Sequence, residues 1–219
     1  MAFDIFNLLV GPAEQGTSKL PEGSRLGFID DENSKKAYEE LATAAFGRYE
    51  ETVDPSWLID HNGVELPEQE YSPLGGRAIG LFATTNTLLS GVVVDGFHKI
   101  GIAESEGGEI LFTAWELVLR SLASINRVRE KKVEHPVEYP GQELIRLLCN
   151  NACQMQGMDD IAISIIMNLQ CKPALLNLYR SLGFETIEPY ADEPYRNNDL
   201  IPMRNIVLQN NSWNDIHQV

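Results

Sequence analysis

The 219-residue sequence is poor in the residues that build metal centres and disulfide frameworks. Its three cysteines, Cys149, Cys153 and Cys171, are odd in number and lack CxxC spacing, which excludes a disulfide framework and a zinc ribbon. Cys149 and Cys153, four residues apart, read as small apolar residues on one helix face. The four histidines, His61, His98, His135 and His217, are scattered with no HxxxH or HExxH, so no dedicated metal site is expected. Positive charge is scarce too: 17 Lys and Arg stand against 32 Asp and Glu, a net charge of −15. Nonspecific nucleic-acid binding needs cationic surface against phosphate and is disfavoured. The opening segment Met1–Val10 has an acidic residue where an export signal needs positive charge, and its apolar run is too short and interrupted to span a bilayer. The expected location is the cytoplasm, with no membrane partner; secretion without a cleavable signal stays open.

What is present is an ordinary globular balance, 43% hydrophobic and 22% charged, which excludes disorder as the default state. A chain of this length can bury a sizeable α/β core without disulfides or metal. The charge is unevenly spread. Residues 1–110 carry 7 basic and 19 acidic side chains, whereas residues 111–219 carry 10 and 13, so an anionic ligand is expected in the second half.

Residues 1–24 read as an irregular N-terminal segment, and 25–219 as a single domain. Arg25–Asp30 is a strand candidate. From Glu32 to Tyr49 the residues Tyr38, Leu41, Ala45 and Tyr49 recur at helical spacing, with Asp30 or Asp31 to cap the start. Residues 50–76 are acidic and turn-rich. Arg77–Thr85 and Leu88–Phe97 read as an antiparallel pair. The run 110–125 fits both a helix, through Leu111, Trp115, Val118, Leu122 and Ile125, and a buried strand. A basic patch follows, Arg127, Arg129, Lys131 and Lys132. Gln142–Met155 predicts a helix stopped by Gly157, Ile161–Met167 a strand covered on both faces, Pro173 the opening of a helix ended by Gly183, and Ile201–Leu208 a last strand. This order suggests a mixed sheet with helices on both faces.

The segment Ile161–Glu185 carries a buried strand, a short loop, a helix from Pro173 and the closing Leu178-Tyr179-x-x-Leu182-Gly183-Phe184. It resembles the C-terminal half of the GCN5-related N-acetyltransferase (GNAT) superfamily, in which a strand precedes a helix ending in LYxxxGF. Glu134–Gly141 is similar to that family's approach to its pyrophosphate loop, and Pro202-Met203-Arg204 sits where the family often opens its last strand with Met. The resemblance covers about residues 125–208 and implies an α/β fold: a GNAT-like mixed, mostly antiparallel central sheet flanked by helices on both faces.

The resemblance implies an acyl-CoA-dependent N-acyltransferase, with acetyl-CoA or another acyl-CoA as donor and an amine as acceptor, by direct attack in a ternary complex. Tyr179 takes the position of the general acid that protonates the leaving thiolate. Glu116 is the candidate base, a carboxylate from the sheet. The cofactor-binding stretch falls on Gly141, Gln142, Glu143, Leu144, Ile145 and Arg146, with Lys172 ahead of the next helix. A helix N-terminus suits phosphate because its first N–H groups are unpaired and its dipole favours anions. Only the first glycine of the family's RGxGxG pattern stands here: Pro140 replaces the usual Arg or Gln, and Glu143 and Ile145 replace later glycines. A carboxylate at Glu143 competes with pyrophosphate, while the basic patch and Arg146 compensate. The acidic N-terminal half favours a cationic acceptor. Two other readings stand beside this one: an autoinducer or N-acyl amino acid synthase type that takes its acyl group from acyl carrier protein, and a catalytically silent binding module. A homodimer is compatible with either.

Overall fold

The run that fits both helix and strand is a strand. In the computed structural model, which describes residues 4–11, 23–46, 70–105, 108–125, 137, 139–155, 161–187 and 200–209, Gly108–Ser124 is extended and forms β4. Ala114, Trp115, Glu116, Leu117, Val118 and Leu119 are all buried in succession. Such unbroken burial marks a strand covered on both faces, and it explains why the helical spacing of the apolar residues was coincidental.

Six further strands flank it: β1 (Arg25–Phe28), β2 (Glu70–Phe82), β3 (Leu88–Ser105), β5 (Ala162–Cys171), β6 (Glu185–Thr186) and β7 (Ile201–Gln209). Their order in the sheet is β1-β2-β3-β4-β5-β7-β6. β1 pairs antiparallel with β2, β5 with β7 and β6 with β7, whereas β4 and β5 are parallel, in register from Phe112↔Ala162 to Leu119↔Leu169. This is the GNAT-like mixed, mostly antiparallel α/β sheet that the resemblance implies. β2 begins well before the expected Arg77 and runs through Pro73. β1 reaches only Ile79–Phe82, so Pro73 lies where β1 asks for no N–H from β2. β3 likewise outruns its expected end at Phe97, and β6 was not foreseen.

The described residues fall into two compact units, and β2, β3 and β4 contribute to both. The first takes in Met1–Glu51, Gly76–Val94 and Arg120–Ala152. Its helix α2 (Glu32–Phe46) buries Ser34, Tyr38 and Ala42, and the last two form a core cluster with Ile29, Phe82, Leu88 and Ala123. Ala45 is exposed, so the buried stripe runs through Ala42 instead. Asp31 caps α2, accepting from the Asn33 and Ser34 amides at 3.0 Å and from Ser34 Oγ at 2.7 Å. These bonds hold the Asp31 carboxyl below its ordinary range. A Cβ at Gly91 would stand 2.6 Å from the Tyr38 ring; only glycine lets α2 come this close. The segment expected to be irregular carries a five-residue helix, α1 (Ile5–Leu9). Asn151, near the end of α3 (Pro140–Cys153), holds that segment by donating to the Leu9 and Gly11 carbonyls at 2.7 and 3.0 Å.

The second unit takes in Thr52–Gly75, Asp95–Leu119 and Cys153–Val219. Leu117, Ile163, Ile165, Met167, Leu169, Phe184 and Met203 fill its core. After β5, Pro173–Leu175 forms one 3-10 turn that leads into α4 (Leu176–Ser181). Gly183, at φ 89°, stops the helix as expected. The amides of Leu182 and Phe184 both donate to the Tyr179 carbonyl, at 3.0 and 3.1 Å.

Candidate active site

Tyr179 closes α4 from the inside, at 6% exposure. Its ring meets Phe184 edge-on, with centroids 5.9 Å apart and planes at 75°. The chain reversal at Gly183 makes that contact, because it folds Phe184 back over the helix end. Burial, and secondarily Cys171, push the phenol up to about 12. A phenol so placed stays protonated through neutral and moderately alkaline pH. It is a proton donor, not a base.

Glu116 is nearly sealed, at 2% exposure. Asn168 Nδ2 donates to its Oε1 at 2.7 Å. Lys99 Nζ stands 3.8 Å from Oε2 and Arg204 Nη2 3.8 Å from Oε1, ion-pair separations longer than a hydrogen bond. Arg204 Nε in turn donates to Asn168 Oδ1 at 3.1 Å. A polar belt thus crosses β3, β4, β5 and β7 on one face. Burial lowers the Lys99 ammonium from its ordinary value, with Arg204 adding to the fall and Glu116 opposing it.

Tyr179 and Glu116 sit on opposite faces of the sheet. Asn168 shares the face of Glu116, whereas Cys171, three positions along β5, projects to the other face and meets Met203 Sδ at 3.5 Å. Met203 and Asn205 share that second face of β7. Asn205 Nδ2 donates to the Leu182 carbonyl at 3.1 Å, fixing the turn that ends α4. The same second face carries His98, stacked on Trp115 at 4.8 Å and 2.7 Å from Thr113 Oγ1.

The stretch Gly141–Arg146 belongs to the first unit and is helical, as expected from Gln142 onward. α3 begins at Pro140, two residues earlier than expected, with proline at the first helical position. Glu143 N already donates to the Tyr139 carbonyl at 3.0 Å, so only the amides of Gly141 and Gln142 precede the first helical bond. Leu144 and Ile145, at 0% and 1% exposure, are core residues whose side chains face the interior. A Cβ at Gly141 would come 3.3 Å from Ser124 Oγ and 3.8 Å from Leu122; the glycine permits close approach of α3 to β4. Arg146 Nε donates to Glu143 Oε2 at 2.9 Å, and a second contact makes the pair bidentate. Those bonds raise the Arg146 guanidinium. The competition expected from Glu143 is therefore answered by Arg146, which is no longer a separate cation. Lys172 is exposed ahead of the 3-10 turn. The basic patch Arg127, Arg129, Lys131 and Lys132, and Glu134–Pro136, lie outside the described residues.

β4 departs from regular geometry at Ser121, whose φ is 51°. Among the described residues only Asn86, in the β2–β3 turn, shares a positive φ without being glycine. A serine held there costs about 1–3 kcal/mol and persists only where its surroundings fix it. Tyr38 supplies one restraint, its hydroxyl donating to the Ser121 carbonyl at 2.7 Å.

Lys99, Asn168 and Arg204 were not foreseen as neighbours of Glu116. Asn168 had a signal, a polar residue inside an apolar strand.

No known family profile matches the sequence, and no curated protein matches it. Solved structures similar to this chain include Escherichia coli ElaA, 16% identical over 83% of this chain and 97% of that one, with a TM-score of 0.42. FeeM, an N-acyl amino acid synthase from uncultured soil microbes, is 13% identical over 84% and 92%, with a TM-score of 0.46. Arabidopsis thaliana Naa50, in complex with the bisubstrate analogue CoA-Ac-MVNAL, is 13% identical over 83% and 97%, with a TM-score of 0.45.

Proposed function

We propose that the chain is an acyl-CoA-dependent N-acyltransferase that moves an acyl group, acetyl in the simplest case, from a thioester to an amine. The observation that carries this reading is Tyr179: a buried phenol, kept as a proton donor, at the end of the helix that follows the β4–β5 parallel pair. The amine nitrogen attacks the thioester carbonyl carbon, the C–N bond forms and the C–S bond breaks. Glu116 takes the proton that the amine gives up, and Tyr179 delivers one to the departing sulfur. Attack gives a tetrahedral intermediate, and its collapse expels the thiolate. An N–H of β4 polarises that carbonyl, and most of the rate comes from positioning.

The Gly141 and Gln142 amides at the start of α3 suit a phosphate of the donor. The acidic residues of 1–110 favour a cationic acceptor such as a polyamine, aminoglycoside or lysine-bearing protein. A donor carried on acyl carrier protein is the second reading. It is favoured by Ile145, which stands in the core where the family's pattern has a phosphate-loop glycine.

Calorimetry with acetyl-CoA and with free CoA tests the proposal. Binding of both is expected; none at millimolar ligand would sink the CoA reading and leave the carrier-protein and silent-module readings. Given binding, Tyr179→Phe should slow acyl transfer at least tenfold, about 1.4 kcal/mol of barrier. An unchanged rate removes the acid role.

A further inference from the structure

We propose that the acceptor is an α-amino acid with an apolar side chain: Arg204 binds its carboxylate beside Glu116, and Ile166 and Ile206 take its side chain. The inference rests on the acyltransfer reading above and names the class of acceptor that the Glu116 belt selects.

Register brings these side chains together. Across β5 and β7, Asn168 pairs with Arg204 and Ile166 with Ile206. Alternate positions of a strand share a face, so the polar pair and the apolar pair are neighbours on the face that carries Glu116. All of them, with Lys99 and Glu116, belong to the second unit. The face is open to solvent along β7, where Ile206 is 53% exposed and the Arg204 side chain 27% exposed. Charge and apolar surface thus stand side by side, which suits a ligand that is charged at one end and apolar at the other.

Arg204 supplies the selectivity. Its guanidinium is held from one side, where Nε donates to Asn168 Oδ1 at 3.1 Å and Nη2 stands 3.8 Å from Glu116 Oε1. Asn168 is itself fixed, donating to the same Oε1 at 2.7 Å from a buried position, so the guanidinium plane is set before a ligand arrives. Neither Nη1 nor Nη2 makes a hydrogen bond to a described residue. A guanidinium held this way keeps its Nη1–Nη2 end as a fork for a carboxylate. Charge agrees with this. Two cations, Lys99 and Arg204, meet one carboxylate in the belt, and Arg204 helps to lower Lys99, so like charges are held close and an incoming carboxylate offsets their repulsion. The 3.8 Å between Glu116 and Arg204 lets one small ligand answer both, its ammonium toward Glu116 and its carboxylate toward Arg204, when the two groups share a single carbon. The acidity of residues 1–110 concerns the ammonium group; Arg204 adds the requirement of a carboxylate, which a polyamine or an aminoglycoside lacks.

Two matched pairs test this with the full chain: L-leucine against 3-methylbutylamine, and L-phenylalanine against 2-phenylethylamine, each amine being the amino acid without its carboxyl group. The wild type should acetylate the amino acids with kcat/KM about tenfold or more above the amines, the worth of a bidentate charged pair. Arg204→Gln should erase that preference by raising the KM for the amino acids, whereas a merely structural loss would slow amine and amino acid alike. Arg204→Lys keeps a cation beside Glu116 without the fork; it should lose most of the preference, and it carries the test should Arg204→Gln not fold. Ile206→Ser should cost L-leucine more than glycine. Calorimetry with the two amino acids, alone and with free CoA present, reads the site without acyl transfer. Binding by the wild type that weakens about tenfold in Arg204→Gln upholds the carboxylate site, even where acetyl-CoA fails to bind and the acyl-CoA reading falls. A wild type that binds neither amino acid under either condition, or that acetylates the amines with the same kcat/KM, overturns the proposal.

Discussion

The two halves of β4 are one continuous strand built on different terms. From Phe112 to Leu119 it is locked in a parallel ladder with β5, and its single charge, Glu116, is met across the sheet by Lys99, Asn168 and Arg204. From Arg120 to Ser124 that ladder is gone, Ser121 has a reversed φ, and the carbonyls of Ser121 and Ala123 are taken by Tyr38 and Ser90. The first half gains its stability from apolar burial on both faces. The second departs from regular geometry at Ser121 and carries side-chain hydroxyls on two of its carbonyls.

The largest expected effect tests the first half. Glu116→Leu leaves Lys99 and Arg204 without their carboxylate in a largely dry belt, and should lower unfolding stability by about 3 kcal/mol in chemical denaturation. This is the low end for breaking a buried pair, because both cations retain some exposure. A loss under 1 kcal/mol would make the belt an incidental surface feature. The second half should respond with the opposite sign: Ser121→Gly ought to raise stability by about 1 kcal/mol, since glycine adopts a positive φ without penalty. If it destabilises, Ser121 is not strained and the contrast between the halves fails.

The smallest effect is a pH dependence. Lys99 has a folded-state value below its ordinary 10.5, chiefly through burial, so the folded protein binds this proton less tightly than the unfolded chain does. Stability should therefore rise with pH between the lowered value and about 10.5, where the unfolded chain still holds the proton. Lys99→Met should flatten that part of the stability profile. An identical profile in the variant would show that the belt does not couple to folding through Lys99.

Much of the fold was legible because it is written in local pattern. The apolar run of Ile161–Met167, the stripe through Tyr38 and the stop at Gly183 each need only a few neighbouring residues to be read. The strand character of β4 was not decidable that way, since Leu111, Trp115 and Val118 fit the helical period while the runs Ile110–Thr113 and Leu117–Leu119 fit a buried strand, and only the unbroken burial from Ala114 to Leu119 chooses between them. Tyr179 was visible through its motif, and its burial beside Phe184 follows from the same six residues. The setting of Glu116 was invisible, because Lys99, Asn168 and Arg204 reach it from three other strands and no sequence spacing reports register. Ser121 was hidden for a related reason: nothing near it in sequence announces a positive φ, and the hydroxyl that binds its carbonyl lies 83 residues away.

The pairing of Glu143 with Arg146 has a consequence for how α3 would respond to ionic strength. With each side chain answering the other, the first turn offers a passing anion little net charge, and dissolved salt has correspondingly little to screen. What remains at Gly141 and Gln142 is the fixed polarity of the backbone, which acts only at contact. Attraction of an anion to that end of the helix is thus short in range and selective for shape, a latch and not a beacon.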